Sequence, residues 1–305
     1  MINSKKNAFT IFLILLAFTL GFLYRQSNPN YLFSFKNNLE MSLQKIFDSQ
    51  NPDVYKKNCP KKISKLPKNS ILIIGHAYGS PNYSELRGDI GIAPKVYDFY
   101  LKNRSKIKSI IFSGDILKEP SIKKWNDFYS KFQGDTSIYI APGNHDIGGK
   151  YFDSALRDVF KIVPHKNQKG LRFPFTLIQN KSLFIIGDSN SEKDPLDEII
   201  SIIDREREFE NIYVVIHHAF PEGLRDAANS RGKHNFIKDS FFEEKFKNND
   251  KKIIFLYGDG GAFTHKPRYK CIKLANSIHM ISGIGELKGD TIFVIHNRNL
   301  YRMEI

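Results

Sequence analysis

The sequence is poor in cysteine, with two in 305 residues, and poorer still in tryptophan, with one. With so few crosslinking residues the fold must rest on a hydrophobic core, for which 41% hydrophobic residues over this length suffice in one large domain or two small ones. Cys59 and Cys271 lie far apart, and neither sits in a CxxC or other zinc-binding spacing. In an oxidising compartment they could pair; in the cytosol they would be two free thiols. Also missing are internal repeats, low-complexity tracts and any block of five or six like charges, although net charge is +14 and the pI about 9.5. A basic surface favours anionic partners such as phosphate groups or acidic lipid, while the lack of a basic stripe interleaved with aromatics argues against nucleic acid.

Charge is absent altogether from one stretch, AFTIFLILLAFTLGFLY, Ala8 to Tyr24, which follows Lys5 and Lys6 and precedes Arg25. It is slightly short of the ~20 residues that span a bilayer comfortably and has no polar face, so it reads as a membrane segment and not as a core helix. No small-x-small cleavage site follows it, which favours an uncleaved single-pass anchor over a signal peptide. The basic residues ahead of it place the remainder of the chain on the extracytoplasmic side. The chain thus divides into an anchor or signal over 1–26, a polar, proline-broken linker and lead-in over 27–69 with a short helix around Leu39 to Phe47, and a domain over 70–305.

Within the domain, short apolar runs predict strands at Ile71–Ile74, Ile107–Phe112, Ser137–Ile140, Leu183–Ile186, Ile212–Ile216 and Ile253–Tyr257. Helical patterns separate them at Pro94–Lys102, Ile122–Phe132, Tyr151–Phe160, Pro195–Glu208 and Asp239–Phe246. Four strands then follow in succession, at Tyr269–Leu274, His279–Ser282, Thr291–Ile295 and Leu300–Met303. Continuous apolar strands alternating with helices imply an α/β fold whose sheets are covered on both faces, closed by an antiparallel segment.

Ligands of open α/β sheets gather at the carboxyl ends of strands. The first strand runs into GHAYG with His76 and Tyr78, the second into SGD with Asp115, the third into GNHD with Asn144, His145 and Asp146. Further on, NIYVVI ends in His217 and His218, and KIIFLY ends in GDGG with Asp259. Each alone has a bland reading as a turn or a helix cap. Together, oxygen and nitrogen donors converging from separate strands are how a rigid sheet builds a metal site.

SGD at Ser113–Asp115, GNHD at Gly143–Asp146, GDSN at Gly187–Asn190, the pair His217–His218 and SGIGE at Ser282–Glu286 resemble the ordered motifs of the calcineurin-like metallophosphoesterase superfamily, from about Ser70 to Ile305. The resemblance implies two mixed β-sheets packed as a sandwich flanked by helices, and hydrolysis of phosphate esters with two metal ions. It makes Asp115 a carboxylate in contact with both metals and Asn144 and His217 ligands of the second. His145 would face the phosphoryl group as general acid or transition-state stabiliser, with its imidazole oriented by Asp146.

Two motifs depart from the family pattern. His76 and Tyr78 stand where it has Asp-x-His, and GDGG supplies Asp259 and Gly261 where it has Gly-His-x-His. One metal would therefore keep Asp115, Asn144, His217 and Asp259, a set suited to Mn, Fe or Zn. The other would rest on His76 and Asp115, with Tyr78 a poor ligand at its ordinary pKa near ~10. Tyr78, His218, Arg87 and Arg225 are candidates for substrate contact. The resulting expectation is a membrane-anchored, metal-dependent phosphoesterase, with one or two divalent ions, acting on a phosphorylated small-molecule or lipid-linked mono- or diester. The alternative is a non-catalytic binding module built on the same fold.

Overall fold

The computed structural model describes residues 59–79, 91–132, 134–147, 172–190, 195–206, 208–230, 232, 235–263 and 265–305. The expected anchor, most of the linker, the helices expected at Leu39–Phe47 and Tyr151–Phe160, and Arg87 lie outside these residues. No helix among the described residues is long and apolar enough to cross a membrane.

Every strand expected from the apolar runs forms, within two residues of its expected ends. In chain order the elements are β1 (Lys61–Ile63), β2 (Ser70–Gly75), α1 (Pro94–Asn103), β3 (Ile107–Ser113), α2 (Ile122–Lys131), β4 (Ser137–Ala141) and α3 (Asn144–Ile147). There follow β5 (Phe175–Gln179), β6 (Ser182–Ile186), α4 (Pro195–Arg205), β7 (Asn211–Ile216), β8 (Phe220–Pro221), β9 (Phe236–Ile237) and α5 (Asp239–Phe246). Last come β10 (Lys252–Tyr257), β11 (Tyr269–Leu274), β12 (Ser277–Ser282), β13 (Thr291–His296) and β14 (Asn299–Glu304). They build two six-stranded mixed sheets, ordered β1-β14-β13-β2-β3-β4 and β11-β12-β10-β7-β6-β5. β2, β3 and β4 run parallel, as do β6, β7, β10 and β12, while β13 and β11 supply the antiparallel closures.

Alternation along the strands sorts the core into layers, because successive side chains point to opposite faces. Ile71, Ile73 and Ile111 of the first sheet meet Tyr213, Val215, Ile254 and Leu256 of the second in a shared middle layer. Their neighbours Leu72, Ile74, Ile110 and Phe112 pack outward beneath α1 and α2, and Val214, Ile216, Phe255 and Tyr257 do so beneath α4 and α5. Each fully buried Ile or Phe contributes about 1.5–3 kcal/mol of transfer free energy, so a strand apolar on both faces is stable only between two cover layers. The helices carry the matching stripe. In α2, Ser121 caps the first turn by accepting from the Lys124 N–H at 3.2 Å, and Trp125 and Phe128 turn inward.

The segment read as a lead-in contributes β1, which pairs in parallel with β14. Short β1 and the edge strand β5, whose Ile178 is 66% exposed, carry too little apolar pattern to be recognised from sequence. Cys59, just before β1, is bonded to Cys271 on β11 with a Cα–Cα distance of 6.0 Å. The disulfide joins the outer edge of one sheet to the outer edge of the other.

Candidate metal centre

The ends of β2, β3, β4, β7 and β10 meet at one end of the sandwich, and glycines let them do so. A Cβ on Gly258 would lie 1.6 Å from the Ser113 carbonyl oxygen, and one on Gly75 would lie 2.3 Å from the Gly258 Cα. The two sheets therefore touch backbone to backbone where their acidic residues begin. His76 and Asp115, both buried, hold φ of 47° and 53°. That left-handed backbone is uncommon outside glycine and at buried positions clusters at functional sites.

Three histidines share one arrangement. His217 Nδ1–H donates to the Ser113 carbonyl at 2.7 Å, and Nε2 lies 3.3 Å from Asp115 Oδ1. His76 Nδ1 lies 3.3 Å from the Ile284 carbonyl and Nε2 3.8 Å from Asp115 Oδ2. His218 Nδ1 lies 3.3 Å from Asn190 Oδ1, and Nε2 lies 3.3 Å from Asp259 Oδ2. Asn190 Nδ2 donates to the Pro142 carbonyl at 3.2 Å, which fixes its oxygen toward the ring. With an acceptor on every Nδ1, each ring points its Nε2 at a carboxylate oxygen, and that nitrogen is bare whenever the ring is neutral. Two acceptors that face each other in a dry site require a proton or a cation between them.

His217 shows this most directly, for its Nε2 is fully buried and faces Asp115 Oδ1. Burial acts to lower its pKa, but the Asp115 charge outweighs burial and carries the imidazole up to about 9. Burial opposes ionisation of Asp115 as well, yet His217 holds its carboxyl well below the usual carboxylate range. Burial pushes His76 and His218 down, toward the neutral form that ligates metal. Two donor groups converge, His217 with His218 and Asp259, and His76 with Asp115 and Asp259, the ligand atoms of each group within 4.8 Å of one another. Imidazole nitrogens and carboxylate oxygens suit a divalent transition metal, and an Nδ1–H held by a carbonyl is the usual support of a metal-bound histidine. The residues present therefore fit a divalent cation.

GNHD folds differently from the role expected of Asp146. Its carboxylate accepts backbone N–H groups from Gly143 at 2.9 Å, Ile116 at 2.9 Å and Leu117 at 3.2 Å, and makes no hydrogen bond to His145. A buried carboxylate satisfied by three amides ties the β3 loop to the β4 loop; burial and the Asp115 charge still push its pKa up to about 6. His145 is held instead by the Lys118 carbonyl, 3.1 Å from Nδ1, and its own N–H donates to Asp115 Oδ1 at 3.2 Å. Asn144 opens α3 beside it, half-buried.

The remaining candidates take varied places. Tyr78 is buried, with its ring 4.3 Å from His76 and 5.2 Å from His145. Burial and then Asp115 push its phenol far up, so it is an O–H donor and not a phenolate ligand. Arg225 stacks on Phe236 at 3.9 Å and pairs with Glu222 at 3.2 Å. Gly261 cannot accommodate the family's second histidine without strain, since its φ is 68° and a Cβ would lie 3.1 Å from the Arg268 carbonyl oxygen.

Sequence reasoning missed Ser230. Its N–H donates to Asp259 Oδ2 at 3.0 Å, its hydroxyl makes a short hydrogen bond to the same oxygen, and Oγ lies 3.3 Å from His218 Nε2. It stands on no strand end, and nothing local in "AANS" marks it.

No family model matches the chain, and no curated protein sequence matches it. Among solved structures, the protein TT1561 of Thermus thermophilus is similar with a TM-score of 0.42 and 11% identity, over 78% of this chain and 99% of its own. A Staphylococcus aureus protein provisionally named a 5'-nucleotidase, in complex with α-ketoglutarate, is similar with a TM-score of 0.40 and 13% identity, over 77% of this chain and 52% of its own. A further solved chain has a TM-score of 0.48 and 12% identity, over 77% of this chain and 98% of its own. This chain spans about half the length of the staphylococcal protein. The architecture itself rests on the two mixed sheets and their helical covers.

Proposed function

We propose that the chain is a metal-dependent phosphoesterase acting on a phosphate mono- or diester of a small molecule or a lipid-linked species. One observation carries this reading: three buried histidines, each braced at Nδ1, aim Nε2 at Asp115 or Asp259. His76, Asp115, His217, His218 and Asp259 would hold the cations, of Mn, Fe or Zn type, with Asn144 beside them. Bound divalent ions supply positive charge for the phosphoryl oxygens and for the negative charge of the transition state. His145, anchored through Nδ1 on the Lys118 carbonyl, has Nε2 to protonate a leaving alkoxide. The Tyr78 hydroxyl, kept protonated by burial, donates to a phosphate oxygen.

The apolar run Ala8–Tyr24 supports attachment to a membrane, and the Cys59–Cys271 disulfide supports an extracytoplasmic location for the domain. The test is hydrolysis of a panel of phosphomonoesters and diesters by the purified full chain, with and without Mn(II), alongside Asp115→Asn and His145→Ala. We expect metal-dependent turnover that falls about 10²–10⁴-fold in His145→Ala. Turnover that survives both substitutions removes this reading, and metal binding with no turnover on any ester leaves the binding module.

A further inference from the structure

We propose that Asp290 and Lys95 are positioning residues for His76, acting through the single peptide unit between Ile284 and Gly285. The inference rests on the reading of His76 as a cation ligand and deepens it by naming what fixes the tautomer of that ligand. It also gives the SGIGE segment a task.

A trans peptide is planar, and its C=O and N–H point in opposite directions. In the loop after β12 the Ile284 carbonyl lies 3.3 Å from His76 Nδ1, while the Gly285 N–H of the same peptide donates to Asp290 Oδ1 at 3.3 Å. One end of this peptide therefore faces the ring and the other faces a fully buried carboxylate. A carbonyl can only accept, so the ring meets it with Nδ1–H and turns Nε2 toward Asp115 Oδ2, 3.8 Å away. Negative charge at the N–H end polarises the peptide and strengthens its carbonyl as an acceptor. Rotation of the peptide plane would break both bonds at once.

The carboxylate is itself held. Its Oδ2 accepts the Leu287 N–H and the Lys95 Nζ, each at 3.0 Å, and Lys95 also donates to the Leu287 carbonyl at 2.7 Å. Lys95 stands in the first turn of α1, and Ala93, just before that helix, donates its N–H to the Ala77 carbonyl at 2.7 Å. The start of α1 thus ties the loop that carries His76 to the loop that braces it. The braced peptide is wedged as well: the Ile284 N–H donates to the Gly75 carbonyl at 3.2 Å, and a Cβ on Gly285 would lie 2.6 Å from the Ala262 carbonyl oxygen. Glu286 and Gly289 hold φ of 58° and 85°, and left-handed backbone of this kind persists where the surroundings over-determine it.

The tautomer of His76 tests this without metal or turnover. In the metal-free full chain with isotopically labelled histidine nitrogens, nuclear magnetic resonance at about pH 8 reports which ring nitrogen carries the proton, and His76→Gln identifies the His76 signals. The wild type should carry the His76 proton on Nδ1. Asn at 290 has one oxygen for three donors, so Asp290→Asn should move His76 toward the Nε2–H form while the His217 and His218 signals stay in place. Mn(II) affinity should fall about tenfold in the same variant. Unchanged His76 signals in folded Asp290→Asn overturn the proposal. So does a shift shared equally by His76, His217 and His218, which is what a merely structural role would give. Should Asp290→Asn fail to fold, Lys95→Met decides by the same two criteria, since the Lys95 side chain is 29% exposed and Met keeps most of its stem. The expected His76 pattern in a chain that binds no Mn(II) supports the positioning role while sinking the metal reading. A wild type with the His76 proton on Nε2 sinks the proposal and leaves that reading to stand on His217, His218 and Asp259.

Discussion

Replacing Asp146 by Asn separates two roles for the acid of GNHD. The carboxylate is fully buried and accepts three backbone N–H groups, two from the loop after β3 and one from the loop after β4. Asn keeps one oxygen, which can still serve Ile116 and Leu117, but turns an NH₂ toward the Gly143 N–H. A buried donor left unsatisfied costs about 1–3 kcal/mol, and the loss of charge assistance on the other two bonds adds roughly 1 kcal/mol more. The sum is about 3 kcal/mol. For a domain of this size about 1 kcal/mol moves Tm by roughly 2–4 °C, so Asp146→Asn should melt about 6–12 °C below the wild type. Calorimetry at pH 8, where the Asp146 carboxyl is ionised, measures the shift, and a pH–rate profile measured alongside should keep its midpoints. A variant that melts within about 2 °C of the wild type but moves those midpoints would show Asp146 acting on His145, and the loop-clamp reasoning would be wrong.

Three other outcomes follow from the packing. Gly258→Ala should abolish soluble folded protein or lower stability by more than about 4 kcal/mol, because the new Cβ would meet the Ser113 carbonyl oxygen at 1.6 Å; a near-wild-type Tm contradicts the close approach. Removing the Cys59–Cys271 bond with paired serines should lower stability by about 5 kcal/mol on the chain-entropy model, since it closes a separation of 212 residues; equal Tm values for the oxidised chain and the double-serine variant would refute this. His279, stacked on Phe255 and bonded to Tyr257 and Ser277, is driven down to about 3 by burial. Its folded pKa lies below the unfolded ~6.5, so its contribution is complete above that value and is lost as pH falls toward 3, up to about 5 kcal/mol. The variant His279→Phe with Tyr257→Phe should show a correspondingly flatter loss of Tm between those pH values, and an unchanged slope contradicts the assignment.

Most of the fold was legible because its strands are apolar on both faces and its helices carry a stripe of one period. Ile71–Ile74 and Ile253–Tyr257, short apolar runs bounded by glycine or polar residues, read as interior strands, and the buried pattern of β2 and β10 bears this out. β5 and β1 were not legible, since an edge strand with exposed side chains has no such pattern. The strand-end donors were legible for the same reason as the strands: a turn that follows a buried run must present its polar residues at the end of the sheet. What those donors bond to was not. Asp146 follows His145 directly, yet its carboxylate turns to the amides of the β3 loop. Ser230 comes to Asp259 from a segment with no periodicity at all.

By itself the sequence determined that buried strands alternate with helices and end in an antiparallel run, and which residue types stand at the ends of β2, β3, β4, β7 and β10. Local propensity and hydrophobic period act over a few residues and suffice for that. Only the tertiary structure decided the pairing of Cys59 with Cys271, the bracing of His76, His217 and His218, and the place of Asp259 in both donor groups. These depend on how closely two sheets approach, which is set where Gly75, Gly258 and Ser113 meet, residues far apart in the chain.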